Sequence, residues 1–497
     1  MALFLSKQFC LLVLLYYYCS FLSEIDSFNI GAHGPEAAEF ISQLVDEKVF
    51  HPRSERAPCS KDCAENQSPT RPKNDHFWSY TSFSAAEKKL RKYFQKHPDF
   101  SNEKRKAIST IVLGSCVMNK KLQFMVQNYF ECTNLSTKQK CELLVFLFLK
   151  EKGYETPLGW LNNVSAKKSI DFSDGSPIWQ SLSPKEKLGF QYSMPQWLMN
   201  LWFNQGFEET TIKLLCSRMN SPGPVCLRTN MLKVKDRQEL LDILGGKYPS
   251  LQMQLSKLSP WGIYLQEGRP EGGILNLEGW SEGKFQVQDE GSQLIALATE
   301  ASPGSKVLDY CAGNGGKTFA IGSMMNNTGR IFCYDINEMR LKALEANAAR
   351  LGVTCIKVVK DMGAFSHIHQ ETFDVVLVDV VCSSIGVLRR HPGLRWTLQE
   401  EDAMVSLPKL QLEILTSASR FVREGGLLVY ATCAINRYEN EDVAEAFEKL
   451  GFESHTEKYV WEGEKFVEEN SHIKSLLPHI HGTDGFFIAR WTKKKVG

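Results

Sequence analysis

Residues 306–335 read KVLDYCAGNGGKTFAIGSMMNNTGRIFCYD, and the punctuation of this stretch decides the fold. Val307 and Leu308 form a short apolar run that ends on Asp309. Gly313, Gly315 and Gly316 make a turn, an apolar helix follows, and a second β-rich run, IFCYD, closes on Asp335. A strand, a tight turn, a helix and a second strand tipped by an acid are the opening unit of a doubly wound, mostly parallel α/β sheet. The glycines let backbone approach a ligand closely, and an acid at the tip of the second strand can accept hydrogen bonds from both hydroxyls of a ribose. Asp335 lies 22 residues beyond Gly313, near the ~20 expected for that acid.

The turn excludes two common nucleotide sites. It reads G-N-G-G-K, which is not the G-x-G-x-x-G of dinucleotide binding. Gly316-Lys317-Thr318 fits the end of a phosphate loop, but Cys311 stands where the first glycine of that pattern belongs. A nucleoside without a pyrophosphate remains, and S-adenosylmethionine is the expected ligand.

Downstream, the strand and helix alternation continues. VTCIKVVKD ends on Asp361. The run TFDVVLVDVV is apolar enough for a parallel strand buried on both faces. It leads to Asp379 and Cys382, and then to a loop of cations and one aromatic ring, Arg389-Arg390-His391-Pro-Gly-Leu-Arg395-Trp396. A helix is expected from about Pro408 to Val422, then the strand GGLLVYATC ending on Cys433. DGFFIARW reads as a final antiparallel strand. In such a sheet the ligand crevice lies beyond the carboxyl ends of the strands. Asp309, Asp335, Asp361, Asp379, Cys382 and Cys433 are all delivered to that rim.

Two thiols and an acid beside a methyl donor suit one chemistry in particular. Carbon 5 of cytosine is too weak a nucleophile to take a methyl group unaided. A thiolate adding to carbon 6 makes the ring enamine-like. An acid near ring nitrogen 3 stabilises the charge that develops there. A second thiol can help expel the enzyme once carbon 5 carries the methyl group.

The motifs QVQDEGSQ, VLDYCAGNGGKT, CYD, LVDVVCSS-IGVLRRHPGLRW and YATC-AINRYENED resemble those of the RsmB-type members of the Sun family of RNA cytosine-5 methyltransferases. The resemblance covers about residues 185 to 493. It implies a Rossmann-like, S-adenosylmethionine-dependent methyltransferase domain acting on RNA, expected to be ribosomal. By this resemblance Cys433 is the nucleophile, Cys382 assists release of the methylated RNA, and Asp379 faces both the cytosine and the cofactor. Cys311, Ala312, Gly313, Asn314, Gly315, Gly316, Lys317 and Thr318, with Asp335 and Asp361, would hold S-adenosylmethionine, and Lys317 would lie near the ligand or Asp379. The chain departs from the family pattern at Val381 and Asn314, where proline is usual, and at Ala434, where serine is usual. Proline fixes φ and stiffens a loop, so its loss is expected to loosen aim more than to remove chemistry.

The whole chain is expected to fall into four segments. Residues 1–83 hold an apolar run, FCLLVLLYYYCSFL at 9–22, and a polar linker. The run has the length of a targeting leader rather than a membrane span. It reads as an organelle leader or a misassigned start, with membrane contact only if it is a retained anchor; the expected compartment is a plastid, a mitochondrion or the cytoplasm. Residues 84–215 read as helical, opening with a Ser84/Glu87 capping box, running through 105–129, 137–150 and 184–205, and serving as a bundle or an RNA-docking unit. Residues 216–285 read as a small α+β module in which Arg228 and Asn230 are candidates for contact with nucleic-acid backbone or for support of the site. Residues 286–497 form the catalytic domain.

Composition sets bounds on partners. A net charge of +1 over 497 residues means that nucleic-acid binding must come from local basic patches; Arg389, Arg390 and Arg395 are the candidates. Fourteen cysteines without a spaced framework read as reduced thiols. Cys59 and Cys63 have no second pair to complete a zinc site, so no metal is expected, and a monomer is. The alternative function is a catalytically weakened or silent RNA-binding relative acting in ribosome assembly. A small-molecule methyltransferase would not need the extra modules, and a DNA cytosine methyltransferase would place its nucleophile at the first cysteine.

Overall fold

The computed structural model describes residues 37, 90, 92–130, 137–153, 177–221, 223–265, 273–450, 452–455, 460–461, 464–465 and 472–494. The apolar run at 9–22, the Ser84/Glu87 pair and the Cys59/Cys63 pair lie outside these residues. No helix among the described residues is long and apolar enough to cross a membrane.

The described chain divides into two compact units. One gathers the helical residues up to Asn220 together with His391–Leu398; the other holds residues 221–390 and those from 399 onward. In the helical unit, the segment expected as one helix at 105–129 is two, Asn102–Val117 and Asn119–Tyr129, because Met118 leaves helical geometry at φ −88°, ψ 10°. The segment at 184–205 is likewise broken into Pro184–Gln191 and Gln196–Asn204. Ser193 turns left-handed there at φ 52°, and Pro195 disfavours helix at the residue before it. Ser183 caps the first of these helices in a full capping box with Glu186. Ile108, Ile111, Leu122, Met125, Leu143 and Leu147 share the core of this unit.

The other unit opens with β1 (Val225–Thr229), β2 (Met253–Leu255), β3 (Gly262–Leu265) and β4 (Phe285–Val287), an antiparallel sheet in the order β2-β3-β1-β4. The helix Arg237–Lys247, capped by Asp236, covers it. The main sheet follows: β5 (Lys306–Asp309), β6 (Arg330–Cys333), β7 (Ile356–Val358), β8 (Phe373–Asp379) and β9 (Val422–Thr432) are parallel. β10 (Glu453–Ser454), β13 (Ile473–Leu476) and β14 (Phe486–Thr492) are antiparallel additions, and β11 (Val460–Trp461) pairs β12 (Glu464–Lys465) apart from them. The order is β10-β14-β9-β8-β5-β6-β7, with β13 on β14. β14 was expected from sequence; β13, only four residues long, was not. The helix expected at 408–422 spans Leu407–Ser419, and β9 begins at Val422.

Both faces of the sheet are covered. Leu294, Phe319, Ile321, Leu344 and Leu476 bury one face, and Phe365, Leu415, Phe421, Phe447 and Trp491 the other. Each such side chain contributes about 1.5–3 kcal/mol by leaving water, and the centre of β8, Val375–Val378, is apolar and buried throughout. β5 has β6 on one side and β8 on the other. The winding therefore reverses at β5, and the crevice opens beyond the ends of β5 and β8.

Candidate active site

The turn after β5 is built for close approach. Gly313 (φ +54°) and Gly315 (φ +85°) are left-handed. A Cβ on Gly315 would come within 2.4 Å of Phe319, whereas the space above Gly313 is open except for Asp335 Oδ2 at 3.9 Å. Asp335, past the end of β6, is tied on both oxygens: the Gly313 N–H donates to Oδ2 (2.9 Å) and the Asn337 N–H to Oδ1 (2.8 Å). Each oxygen keeps a second lone pair for a ligand hydroxyl. Ile336 and Met339 stand beside it, 80% and 72% exposed, and offer apolar surface to a flat base. At the start of the turn the Thr318 hydroxyl donates to Asp309 Oδ2 (2.6 Å), while Oδ1 is buried with no partner. Burial pushes the Asp309 carboxyl up to about 7 against the Thr318 bond. An open glycine cradle, an anchored acid and apolar surface beside it fit the nucleoside half of S-adenosylmethionine.

The remaining cradle residues divide. Cys311 lends backbone only, since burial and the nearby carboxylates of Asp309, Asp379 and Asp335 raise its thiol pKa and keep it neutral. Ala312 is pinned by its N–H to Tyr334 O (2.8 Å). Asp361 caps the helix Met362–His369 by accepting the Ala364 N–H (3.0 Å) and stays exposed.

The acid and the thiols converge at the ends of β8 and β9. Lys317 donates to Asp379 Oδ2 (2.6 Å). Burial works to lower the Lys317 pKa, but the Asp379 carboxylate overrides it and holds the ammonium charged. Cys382 and Cys433, 51 residues apart, bring their sulfurs to 3.2 Å, and both thiols are free. The Cys433 pKa is lowered, first by the hydrogen bond from Cys382 against the cost of burial, then by the Ser384 hydroxyl. Cys382 moves the opposite way, raised by that same bond and by burial. When the pair loses a proton, Cys433 is the sulfur favoured to give it up, and the remaining proton stays on Cys382 between the two sulfurs.

Sequence reasoning missed what fixes these sulfurs in place. Glu439 is buried, and its Oε2 accepts from the Ser383 N–H and from Gln411 Nε2 (2.8 Å each). Gln411 also donates to Val381 O (3.0 Å), and Asn436 Nδ2 donates to Glu439 Oε1 (2.5 Å). Tyr430 donates to Glu439 O (2.7 Å). At Val381 the stiffening that a proline would give is supplied by hydrogen bonds. The signal in the sequence is the polar run NRYENED after Cys433, whose pattern alone assigns Glu439 no role.

The structure corrects the expected RNA contacts. Arg389 is 5% exposed and ion-paired to Asp484, with Asp289 at 3.8 Å. Arg390 pairs with Asp484 (2.9 Å) and Asp289 (3.1 Å) and donates to Pro224 O (2.8 Å). Arg395 is buried and donates to Asn220 Oδ1 (2.6 Å). These cations are spent inside the protein and form no phosphate-facing patch. Arg228 and Asn230 are buried as well. Arg228 donates to Gly316 O (3.1 Å) and to Gln286 Oε1 (2.8 Å), and Asn230 Nδ2 to Gly283 O and Leu351 O (2.8 Å each). Arg228 holds the carbonyl of Gly316 at the glycine turn, which is the supporting role among the two expected for it. Among the described residues, no group of three His, Cys, Asp or Glu is placed to hold a metal ion.

Comparison with known proteins identifies the family. The family model described as 16S rRNA methyltransferase RsmB/F matches residues 295–492. A probable ribosomal RNA small subunit methyltransferase B of Bacillus subtilis is 33% identical over 353 residues, which are 69% of this chain and 76% of that protein. A human 28S rRNA (cytosine(4447)-C(5))-methyltransferase is 33% identical over 290 residues, 55% of this chain and 34% of that one. The crystal structure of a methyltransferase homologue from Pyrococcus horikoshii superposes with a TM-score of 0.54 at 26% identity, covering 63% of this chain and 100% of that one. With two thiols, an acid and a nucleoside cradle on one rim, the chain belongs to the RsmB/F family of S-adenosylmethionine-dependent RNA cytosine-5 methyltransferases.

Proposed function

We propose that this protein methylates carbon 5 of a cytosine in small-subunit ribosomal RNA, with Cys433 as nucleophile and Cys382 as the thiol that serves release. The observation that carries the reading is the 3.2 Å approach of the two sulfurs beside the Lys317–Asp379 pair. The Cys433 thiolate bonds to carbon 6, and ring electrons move toward carbon 5 and nitrogen 3. Asp379 holds Lys317 at the site, and the ammonium faces the negative charge that develops on the ring. The Cys311–Thr318 turn, Asp335 and Asp361 would hold S-adenosylmethionine, which would supply the methyl group that carbon 5 takes. Cys382 gives its own proton to solvent once Cys433 is bonded to carbon 6; the resulting thiolate takes the proton from carbon 5, and the sulfur–carbon 6 bond breaks with its electron pair returning to Cys433. Both sulfurs must reach one base, so the target nucleotide is taken out of its stack.

With the arginine loop spent internally, the helical region is the better candidate for RNA docking. Residues 84–220 carry 20 Lys and Arg against 12 Asp and Glu, while the whole chain is nearly neutral, and a local excess of cations attracts phosphate.

Bisulfite sequencing of small-subunit ribosomal RNA from cells with and without the protein tests the reading. One cytosine should lose protection when the protein is absent and regain it with the wild-type chain but not with Cys433→Ser. No change at any cytosine would favour the silent-relative alternative. A second expectation concerns the cradle. Asp335→Ala should weaken S-adenosylmethionine binding by about 1.5–3 kcal/mol, the range for hydrogen bonds to a charged group. Unaltered affinity by calorimetry, in a variant that unfolds at the wild-type temperature, would remove Asp335 from the ribose role.

A further inference from the structure

Ser384 stands in a backbone conformation that favours glycine. Its φ of 58° and ψ of 24° are left-handed, a region where a Cβ is crowded by the following carbonyl. The segment around it is firmly held. Ser383 N–H is bound by Glu439 on one side, and on the other Gly386 N–H donates to Cys433 O (2.9 Å) while Gly485 N–H donates to Gly386 O (2.8 Å). The strain is therefore imposed by surroundings that over-determine the turn, as strain at functional sites often is.

What the side chain does in this position is touch the reacting sulfur. Ser384 Oγ lies 3.4 Å from Cys433 Sγ and 4.0 Å from Cys382 Sγ; its other near partner is Cys382 O at 3.5 Å, a long bond. A hydroxyl rotates to suit its neighbour. Beside a thiol it accepts the S–H; beside a thiolate it turns and donates. We propose that Ser384 is a further catalytic residue, whose hydroxyl donates a hydrogen bond to the Cys433 thiolate and holds it ready for attack. The inference rests on the reading of Cys433 as nucleophile. The charged and titratable groups that face Cys433 are Cys382, Asp379 and Lys317, with Glu439 beyond Cys382. Cys382 and Lys317 favour the thiolate and Asp379 opposes it. Ser384 donates to the thiolate without carrying charge or titrating, so its contribution does not fade across the working pH range.

Two variants separate hydroxyl from backbone. Ser384→Gly removes the hydroxyl and relaxes the left-handed turn; Ser384→Ala removes the hydroxyl and keeps the strain. Alkylation of Cys433 by iodoacetamide, followed at that residue by peptide mass spectrometry across pH, reads the thiolate directly. Both variants should alkylate about three- to ten-fold more slowly at neutral pH, equivalent to an upward pKa move of about half to one unit. Ser384→Gly should also unfold at or above the wild-type temperature, since glycine is unstrained there. Loss of reactivity with gain of stability is a combination that a merely structural role does not give. Identical alkylation profiles in all three proteins, or slowing in Ser384→Ala alone, would overturn the proposal. Failure of the underlying reading shows separately: Cys433→Ser would still methylate RNA, whatever the alkylation profiles.

Discussion

Cys433→Ser is expected to lose methylation by about 10⁴-fold or more, in the range for removing a covalent nucleophile, and to form no covalent RNA complex. Cys382→Ala is expected to lose turnover comparably and to accumulate RNA on Cys433. The two variants should look alike in a turnover assay and opposite on a denaturing gel. The geometry explains the division of labour. While Cys433 is a thiolate, the Cys382 proton is held between the sulfurs, so Cys433 is poised to attack and Cys382 is not. When Cys433 becomes a thioether its charge vanishes, and with it the bond that raised the Cys382 pKa. Cys382 can then lose its proton and accept the one leaving carbon 5. Removing Cys382 leaves the attack possible, though with a less stabilised thiolate, and takes away the base for elimination. Incubating each variant with substrate RNA and S-adenosylmethionine, then looking for a shifted band, decides the matter. A stable adduct in Cys433→Ser and none in Cys382→Ala would reverse the roles.

Much of this site was legible in the sequence because a parallel sheet sends every strand end to one rim. The runs ending on Asp309, Asp335, Asp379 and Cys433 needed only their apolar lengths and their last residues to be placed together. What could not be read was pairing at long range. Arg389 and Arg390 look like a cationic loop until Asp289, 100 residues before the first, and Asp484, 95 after it, are seen beside them. Arg228 looks like strand-end polarity until Gly316, 88 residues on, is found at its guanidinium. Glu439 belongs to the same class: a carboxylate in a polar run whose work, holding Ser383 and Gln411, depends on partners 56 and 28 residues away. Helix breaks were missed for a local reason. Met118 and Ser193 carry no sequence mark of a turn, and the interruption at Ser193 shows only through Pro195.

Arg389→Met is expected to destabilise the protein by about 3–5 kcal/mol, the cost of breaking a buried ion pair by removing one partner. For a unit of this size that corresponds to a fall in Tm of roughly 6–20 °C. The cause is specific. Asp484 is held at about 2 against burial by the charges of Arg390 and Arg389. Losing Arg389 leaves two buried carboxylates, Asp484 and Asp289, with Arg390 alone between them. The pH dependence follows from the depressed Asp484 pKa. Its stabilisation is fully present above the unfolded value near 3.8 and is lost as pH falls through about 2. The deficit of Arg389→Met should therefore stand at neutral pH and shrink as the pH is lowered from about 4 toward 2. Asp289, pushed up to about 6 first by burial and then by Asp484, is also held down by Arg389, so its part of the deficit appears only as the pH rises above about 6, and the two windows can be separated in a pH series. RNA binding gives the contrasting readout. A cation on a phosphate would reduce the slope of log K against log salt by about 1 when removed, whereas an internal tie leaves the slope of the folded fraction unchanged. A variant with wild-type Tm and a reduced slope would return Arg389 to the RNA; a lowered Tm with an unaltered slope places it, as its burial does, in the scaffold that aims the Cys382 loop.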